Sequence, residues 1–256
     1  MTSQVQDFYD ALAPHYHLIY EDWDVAIGRQ AHALDALLAR HAAGRRPLKI
    51  LDCACGIGTQ AIGLAQLGHR VVASDLSPAS VDRASHEARA RGVNLDAIVS
   101  DMTSLKEIPE HSFDAVIAMD NALPHLEADQ LPLACAAIAA RIRPGGIFVA
   151  GIRDYDALLA DKPAAFPPAF YGAEGNRRIY HQVWEWLDLL HYRFHIYLTT
   201  QTAGEWQVEH YVSFYRCLLR HEFDTALRAA GFSRTEWLFP PDNGFHQPVV
   251  RATLPA

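Results

Sequence analysis

Cysteine is scarce in this 256-residue chain, with only Cys53, Cys55, Cys135 and Cys217. Four thiols do not amount to a disulfide framework at this size. Cys53-Ala54-Cys55 is a C-x-C spacing with no second pair, which argues against a zinc or redox site. The two cysteines read instead as small residues packed in a tight turn before Gly56. Long apolar runs are also missing. None reaches the roughly 20 residues that span a bilayer. Met1 to Asp10 lacks the basic start and apolar run of a signal peptide. The expectation is a cytoplasmic protein with no membrane partner and no metal. Positive charge is in deficit: 22 basic against 30 acidic residues gives −8. An acidic chain repels phosphate backbones, and Arg45-Arg46 and Arg177-Arg178 are too short to form a basic patch, so no nucleic-acid partner is expected. Monomer and homo-oligomer both stay open.

What the chain has is core. Half of it (50%) is hydrophobic, enough for one large α/β domain, or a core with a small insertion. Residues 8–40 read as helical and stop at Ala42-Ala43-Gly44 and Pro47. Alternation follows. Strands are expected at 48–53, 70–74, 95–100, 113–119 and 147–152. Helices are expected at 59–67, 78–91 and 129–142. Ser77-Pro78 supplies a capping hydroxyl and a first-turn proline. This pattern predicts a doubly wound, mostly parallel sheet with helices on both faces. After Asp154 the texture changes. Residues 161–178 are rich in proline, glycine and aromatics, and 179–186, 191–200 and 206–215 alternate like antiparallel strands. A helix at 221–230 and a late hairpin, 233–239 with 247–254, return to the main sheet. The expected division is a lid and cofactor core at 1–160, an aromatic-rich substrate insertion at 161–218, and a final helix and hairpin at 219–256.

The chemistry centres on Leu51-Asp52-Cys53-Ala54-Cys55-Gly56-Ile57-Gly58-Thr59, between the first strand and the next helix. Glycines there let the backbone turn sharply and approach a ligand. The helix N-terminus adds free N–H groups and a positive dipole end. Gly56-Ile57-Gly58-Thr59-Gln60-Ala61 also matches a dinucleotide fingerprint, with Asp75 as the ribose acid, so an NAD-dependent oxidoreductase is a rival reading. Asp52, however, would stand beside the pyrophosphate with like charge. It suits a cofactor carrying an ammonium and a sulfonium. Asp101 ends the third strand, so Asp52, Asp75 and Asp101 would line one cleft, although any one of them alone could be an ordinary loop cap.

On these residues the chain resembles the class I S-adenosylmethionine-dependent methyltransferases, over about 48–152 and the late hairpin. The resemblance implies a seven-stranded Rossmann-like sheet and S-adenosylmethionine as cofactor. It matches Asp52, Ala54, Gly56 and Gly58 to the methionine end, Asp75 and Leu76 to the ribose, and Asp101 and Met102 to the adenine. Ala54 stands where many members have glycine. Asp120-Asn121 matches the strand end that faces the transfer centre, which implies Asp120 among the cofactor's contacts and Asn121, with His125 and Tyr20, among the catalytic residues.

Further residues resemble glycine/sarcosine-type small-molecule N-methyltransferases: Tyr9-Asp10, Leu12-Ala13, Tyr16, Ile19-Tyr20, Trp23, Ile27, Arg29-Gln30, then Asp120-Asn121 to His125-Leu126, and Ile152-Arg153-Asp154-Tyr155. The resemblance implies an N-terminal helical lid whose tyrosine is Tyr16 or Tyr20. It implies Arg29 at the cofactor carboxylate, Asn121 and His125 near the cofactor, Arg153 on a substrate carboxylate, and Tyr215 on the substrate. Physically, Arg153 at a strand end could grip a carboxylate bidentately, or simply pair with Asp154 or Asp156. His125 could be a general base, or only a hydrogen-bond partner after the Pro124 turn. Tyr20 and Trp23 could cover the cofactor or sit in the core. Aromatics of the insertion, Tyr180 among them, would favour a flat heterocycle if they face the cleft. The function expected is methyl transfer to a nitrogen of a small molecule, either an amine or a heterocycle such as an azapteridine. A non-catalytic S-adenosylmethionine-binding domain is the non-enzyme alternative.

Overall fold

The structure is a computed structural model that describes residues 2–41 and 44–256. Met1 and the expected stop at Ala42-Ala43 lie outside the described residues. The expected single N-terminal helix is in fact two, α1 (Thr2–Leu12) and α2 (Trp23–Ala39), joined through a 3-10 turn at Tyr16–Ile19. Pro14 lacks the N–H that would continue the first helix. Asp22 restarts the second, its carboxylate accepting the Val25 N–H at 3.0 Å.

The core elements follow in alternation: β1 (Lys49–Asp52), α3 (Thr59–Gln66), β2 (Arg70–Asp75), α4 (Pro78–Ala90), β3 (Asp96–Val99), β4 (Phe113–Ala118), α5 (Gln130–Arg141) and β5 (Ile142–Gly151). Three elements, α7 (Arg220–Ala229), β10 (Arg234–Leu238) and β11 (Val249–Thr253), complete it. The seven-stranded sheet runs β10-β11-β5-β4-β1-β2-β3. All its pairings are parallel except those made by β11. Central strands buried on both faces read as unbroken apolar runs; Ala115, Val116, Ile117 and Ala118 of β4 are at most 1% exposed.

Strand order reverses at β1, which pairs with β2 on one side and β4 on the other. A crevice therefore opens at the carboxyl ends of β1 and β4, where open α/β sheets bind ligands. The close approach of α2 to α3 narrows one wall of this crevice. A Cβ on Gly63 would lie 2.6 Å from the Ala31 Cβ and 2.7 Å from the Ile27 carbonyl, so only glycine fits there.

Between β5 and α7 stands a second sheet, β6-β7-β8-β9, formed by Ala165–Tyr171, Arg178–Trp186, His191–Thr202 and Glu205–Arg216. The proline-rich stretch thus holds strand β6, preceded by α6 (Tyr155–Asp161). Pro167-Pro168 interrupts pairing, and the register shifts between Phe166 and Ala169; prolines confine such a strand to a sheet edge. The inner face of β8 buries Tyr192, Phe194, Ile196 and Leu198. Phe8 of α1 meets Phe194 edge-on at 5.5 Å. The N-terminal segment is thereby clamped between the second sheet and the crevice. Arg178 of β7 donates to the carbonyls of Tyr20 (2.6 Å) and Glu21 (3.1 Å).

Candidate functional site

Two adjoining cavities fill the crevice. The first, about 930 Å³, is lined by Ala54 and Gly56 of the glycine loop, by Asp75-Leu76 after β2, and by Asp101-Met102 after β3. The second, about 2260 Å³, lies under the four-stranded sheet and carries Arg153, Tyr180, Trp184 and Tyr215. Tyr9, Tyr16, Tyr20 and Asp120 line both. They mark the passage between the two.

The loop behind the first cavity is shaped by left-handed glycines at φ +50° (Gly56) and +95° (Gly58). A Cβ on Gly56 would stand 3.3 Å from the Tyr16 ring, so the glycine keeps the backbone open beneath the lid tyrosine. Asp75 holds the loop: its Oδ2 accepts the Gly56 N–H at 2.8 Å and its Oδ1 the Ser77 N–H at 3.0 Å. Burial raises the Asp75 carboxyl above its usual range despite these bonds. Asp101 accepts the Thr103 N–H and hydroxyl, each at 2.8 Å.

Asp52 does not line the cavity surface but lies fully buried beneath the loop. Its Oδ1 accepts from Ala54 N at 3.3 Å, and its Oδ2 has no hydrogen-bond partner among the described residues. Burial pushes this carboxyl up to about 8, with Asp75 and Asp120 adding like-charge repulsion. An orphaned carboxyl there fits a cationic group and would oppose a pyrophosphate. The donor set at this cavity therefore fits S-adenosylmethionine.

Several expected site residues stand elsewhere. Trp23 lines neither cavity. It is buried against α4, donating Nε1 to Thr59 at 2.8 Å beneath Arg91, 4.9 Å from its ring centre. As first residue of α2 it joins the buried stripe with Ala26, Ile27 and Gln30. Arg29 falls off that stripe and borders the second cavity, not the cofactor cavity. Gly58 starts α3 from behind the cavity wall, where a Cβ would meet Ile62 at 2.9 Å. Asn121 is held internally: its Nδ2 donates to Tyr155 at 2.8 Å and its Oδ1 accepts the Arg153 N–H at 3.0 Å. It holds the Arg153 backbone and itself borders the second cavity.

His125 borders the cofactor cavity, with Nε2 2.9 Å from the Tyr9 hydroxyl. Burial lowers its pKa to about 3. A ring so hard to protonate is a poor proton acceptor at neutral pH. Tyr20 donates to Asp120 at 3.4 Å, and burial raises its hydroxyl well above the ordinary range.

Arg153 shows what one side of the second cavity can do. Its guanidinium donates to Tyr192 at 2.8 Å and Gln182 at 3.1 Å, and lies 4.7 Å from the Trp184 ring centre. Asp154 and Asp156, its candidate partners in sequence, are taken by Arg220. Arg153 thus has only neutral partners among the described residues. Tyr215 stacks on Phe194 at 4.3 Å and borders the same cavity. Gln182 escaped sequence reasoning because strand alternation marks a face without marking a function; Tyr192 is one of the insertion's aromatics, but its bond to Arg153 cannot be read from alternation. Gln30 and Gln60 stand in the sequence motifs, but their meeting at 2.7 Å across α2 and α3 was not legible there, because it depends on the close packing of the two helices at Gly63.

Residues 50–146 match the family model of a methyltransferase domain. The ubiquinone biosynthesis O-methyltransferase of Methylocella silvestris is 34% identical over 127 residues, 50% of this chain and 46% of that protein. The glycine N-methyltransferase of Rattus norvegicus is 35% identical over 136 residues, 48% of this chain and 45% of that protein. The chain spans about half the length of these curated relatives. Among solved structures, DesVI of Streptomyces venezuelae superposes with a TM-score of 0.74 at 21% identity, covering 95% of this chain and 98% of that one. CalS10, an amino pentose methyltransferase from Micromonospora echinaspora bound to S-adenosylmethionine, superposes at 0.72 and 22% identity, covering 94% of each chain. These two show the shared fold. With this match, the orphaned Asp52 and the strand-end acids, the nicotinamide reading falls away: residues 50–146 are similar to a methyltransferase domain, and the cavity at the strand ends fits S-adenosylmethionine as its cofactor.

Proposed function

We propose that the chain transfers a methyl group to a nitrogen of a small molecule that carries a carboxylate. The observation that carries this is Arg153, a cation with only neutral partners, on the wall of an aromatic cavity that adjoins the cofactor cavity. The bound sulfonium supplies an already activated methyl group. The chain's own task is to align an acceptor and exclude water. Arg153 would grip the acceptor carboxylate, held in register by Asn121. Tyr180 and Tyr215 would pack on its apolar body, and the Tyr9, Tyr16 and Tyr20 passage would set where the nitrogen meets the methyl. The glycine N-methyltransferases among the relatives support nitrogen as acceptor. O-methyltransferases also match, so the atom methylated needs its own experiment. Incubation with S-adenosylmethionine and a panel of amino acids, amines and nitrogen heterocycles, read by mass spectrometry, tests the reading. Gain of one methyl by carboxylate-bearing amines is expected. Cofactor binding without transfer to any compound would make this a non-catalytic binding domain.

A further inference from the structure

Asp120 follows β4 at the passage between the cavities, and its surroundings are unusual. Asp120 and Asn121 are successive non-glycine residues in the left-handed region, at φ +52° and +68°. Such strain persists where the surrounding structure holds it, and clusters at functional positions. Here it sends two side chains opposite ways. Asn121 turns back to Arg153 and Tyr155, while Asp120 faces both cavities.

The Asp120 carboxylate is gripped on one oxygen only. Oδ2 accepts from Gln60 at 2.7 Å and from Tyr20 at 3.4 Å. The Gln60 amide is itself fixed by Gln30 at 2.7 Å, and both glutamines are buried. Oδ1 is buried and has no hydrogen-bond partner among the described residues. No cation pairs with Asp120 there either; every donor that reaches it is neutral. A carboxylate without a counter-ion or a full set of donors calls for a cationic N–H donor. Asp120 borders both cavities, so an acceptor nitrogen brought to the cofactor's methyl would stand beside it.

We propose that Asp120 is a specificity-determining residue that selects acceptors arriving as primary or secondary ammonium ions. It does so by accepting an N–H from the ammonium at the mouth of the cofactor cavity. An ammonium entering a site that also holds a sulfonium meets like-charge repulsion, and a carboxylate at the junction offsets it. The inference rests on the nitrogen-acceptor reading and deepens it: Arg153 and Asp120 set charges of opposite sign on the same cavity, which Arg29 and Asp154 also border.

The test compares two probes that differ only in the ammonium, L-phenylalanine and 3-phenylpropionate. Calorimetry is done on the full chain saturated with S-adenosylhomocysteine. L-Phenylalanine should bind about tenfold more tightly, the scale of a charge-assisted hydrogen bond. In Asp120→Asn, which the left-handed backbone tolerates well, that preference should disappear when each protein is compared fully saturated with S-adenosylhomocysteine. Asp120→Glu should restore part of it. Equal binding of the two probes by the unaltered chain, binding of neither, a preference that survives in Asp120→Asn, or a loss confined to S-adenosylhomocysteine affinity would each overturn the assignment. Methylation found only on oxygen would instead overturn the nitrogen-acceptor reading and leave the binding comparison standing.

Discussion

Arg153→Met separates a binding role from a structural one, because the two predict opposite patterns. Methionine keeps an unbranched apolar stem between Trp184 and Tyr215 and removes the guanidinium. The change loses two hydrogen bonds, to Tyr192 and Gln182, worth about 1.5 kcal/mol each for a charged donor. It loses stacking on Trp184 and Tyr215, at 4.7 and 5.3 Å, worth about 0.5–1 kcal/mol each. Against this it relieves the desolvation of a charge with no anionic partner, an effect of several kcal/mol. These contributions oppose one another, so the net change in stability should stay within about 2 kcal/mol. Acceptor binding has no such offset. Loss of a bidentate guanidinium–carboxylate contact should raise KM for carboxylate-bearing acceptors about 100-fold, or about 2.7 kcal/mol. The assays are urea unfolding and steady-state methyl transfer. A loss of stability above about 4 kcal/mol, the size expected for breaking an internal ion pair, together with an unchanged KM, would make Arg153 a structural residue only.

Other predictions follow from the same geometry. Asp52, raised to about 8 by burial, is protonated in the folded chain where the unfolded chain has already ionised. Its contribution therefore favours the folded state at low pH and is lost as pH rises from about 4 toward 8. Affinity for S-adenosylhomocysteine should tighten over the upper part of that window as a negative charge forms beneath the glycine loop, and Asp52→Asn should flatten the curve in calorimetry. His125, lowered to about 3, should leave no step in the kcat profile between pH 5 and 8; a step that vanishes in His125→Asn would restore it as a general base. Its depressed pKa means that stability from this ring is present above about 6.5 and lost as pH falls toward about 3. Gly58→Ala forces a Cβ to within 2.9 Å of Ile62 at φ +95°. It should cost about 1–3 kcal/mol in thermal unfolding; a neutral outcome would contradict the loop geometry.

How much of this was legible in the sequence depends on the range of the interactions. The alternation from β1 to β5 and the glycine loop were legible because turns, caps and apolar runs are local signals. Asp75 and Asp101 were legible because strand ends mark the functional edge of such a sheet. The expectation that residues 8–40 form one helix overlooked Pro14 and the Asp22 cap. Edge strand β6 was hidden by Pro167-Pro168. Trp23 could not be assigned because its neighbours Thr59 and Arg91 come from later elements. Arg153 was recognised, but its freedom from Asp154 depends on Arg220, 66 residues further on. The Gln30–Gln60–Asp120 chain likewise exists only once α2 and α3 touch at Gly63.

The central claim is methyl transfer to a carboxylate-bearing nitrogen compound, and its most direct measurement is proton–carbon NMR of products made with methyl-labelled S-adenosylmethionine. A labelled methyl on nitrogen is expected, in acceptors whose carboxylate is required for turnover. A label found only on oxygen, or turnover indifferent to the carboxylate, would contradict it.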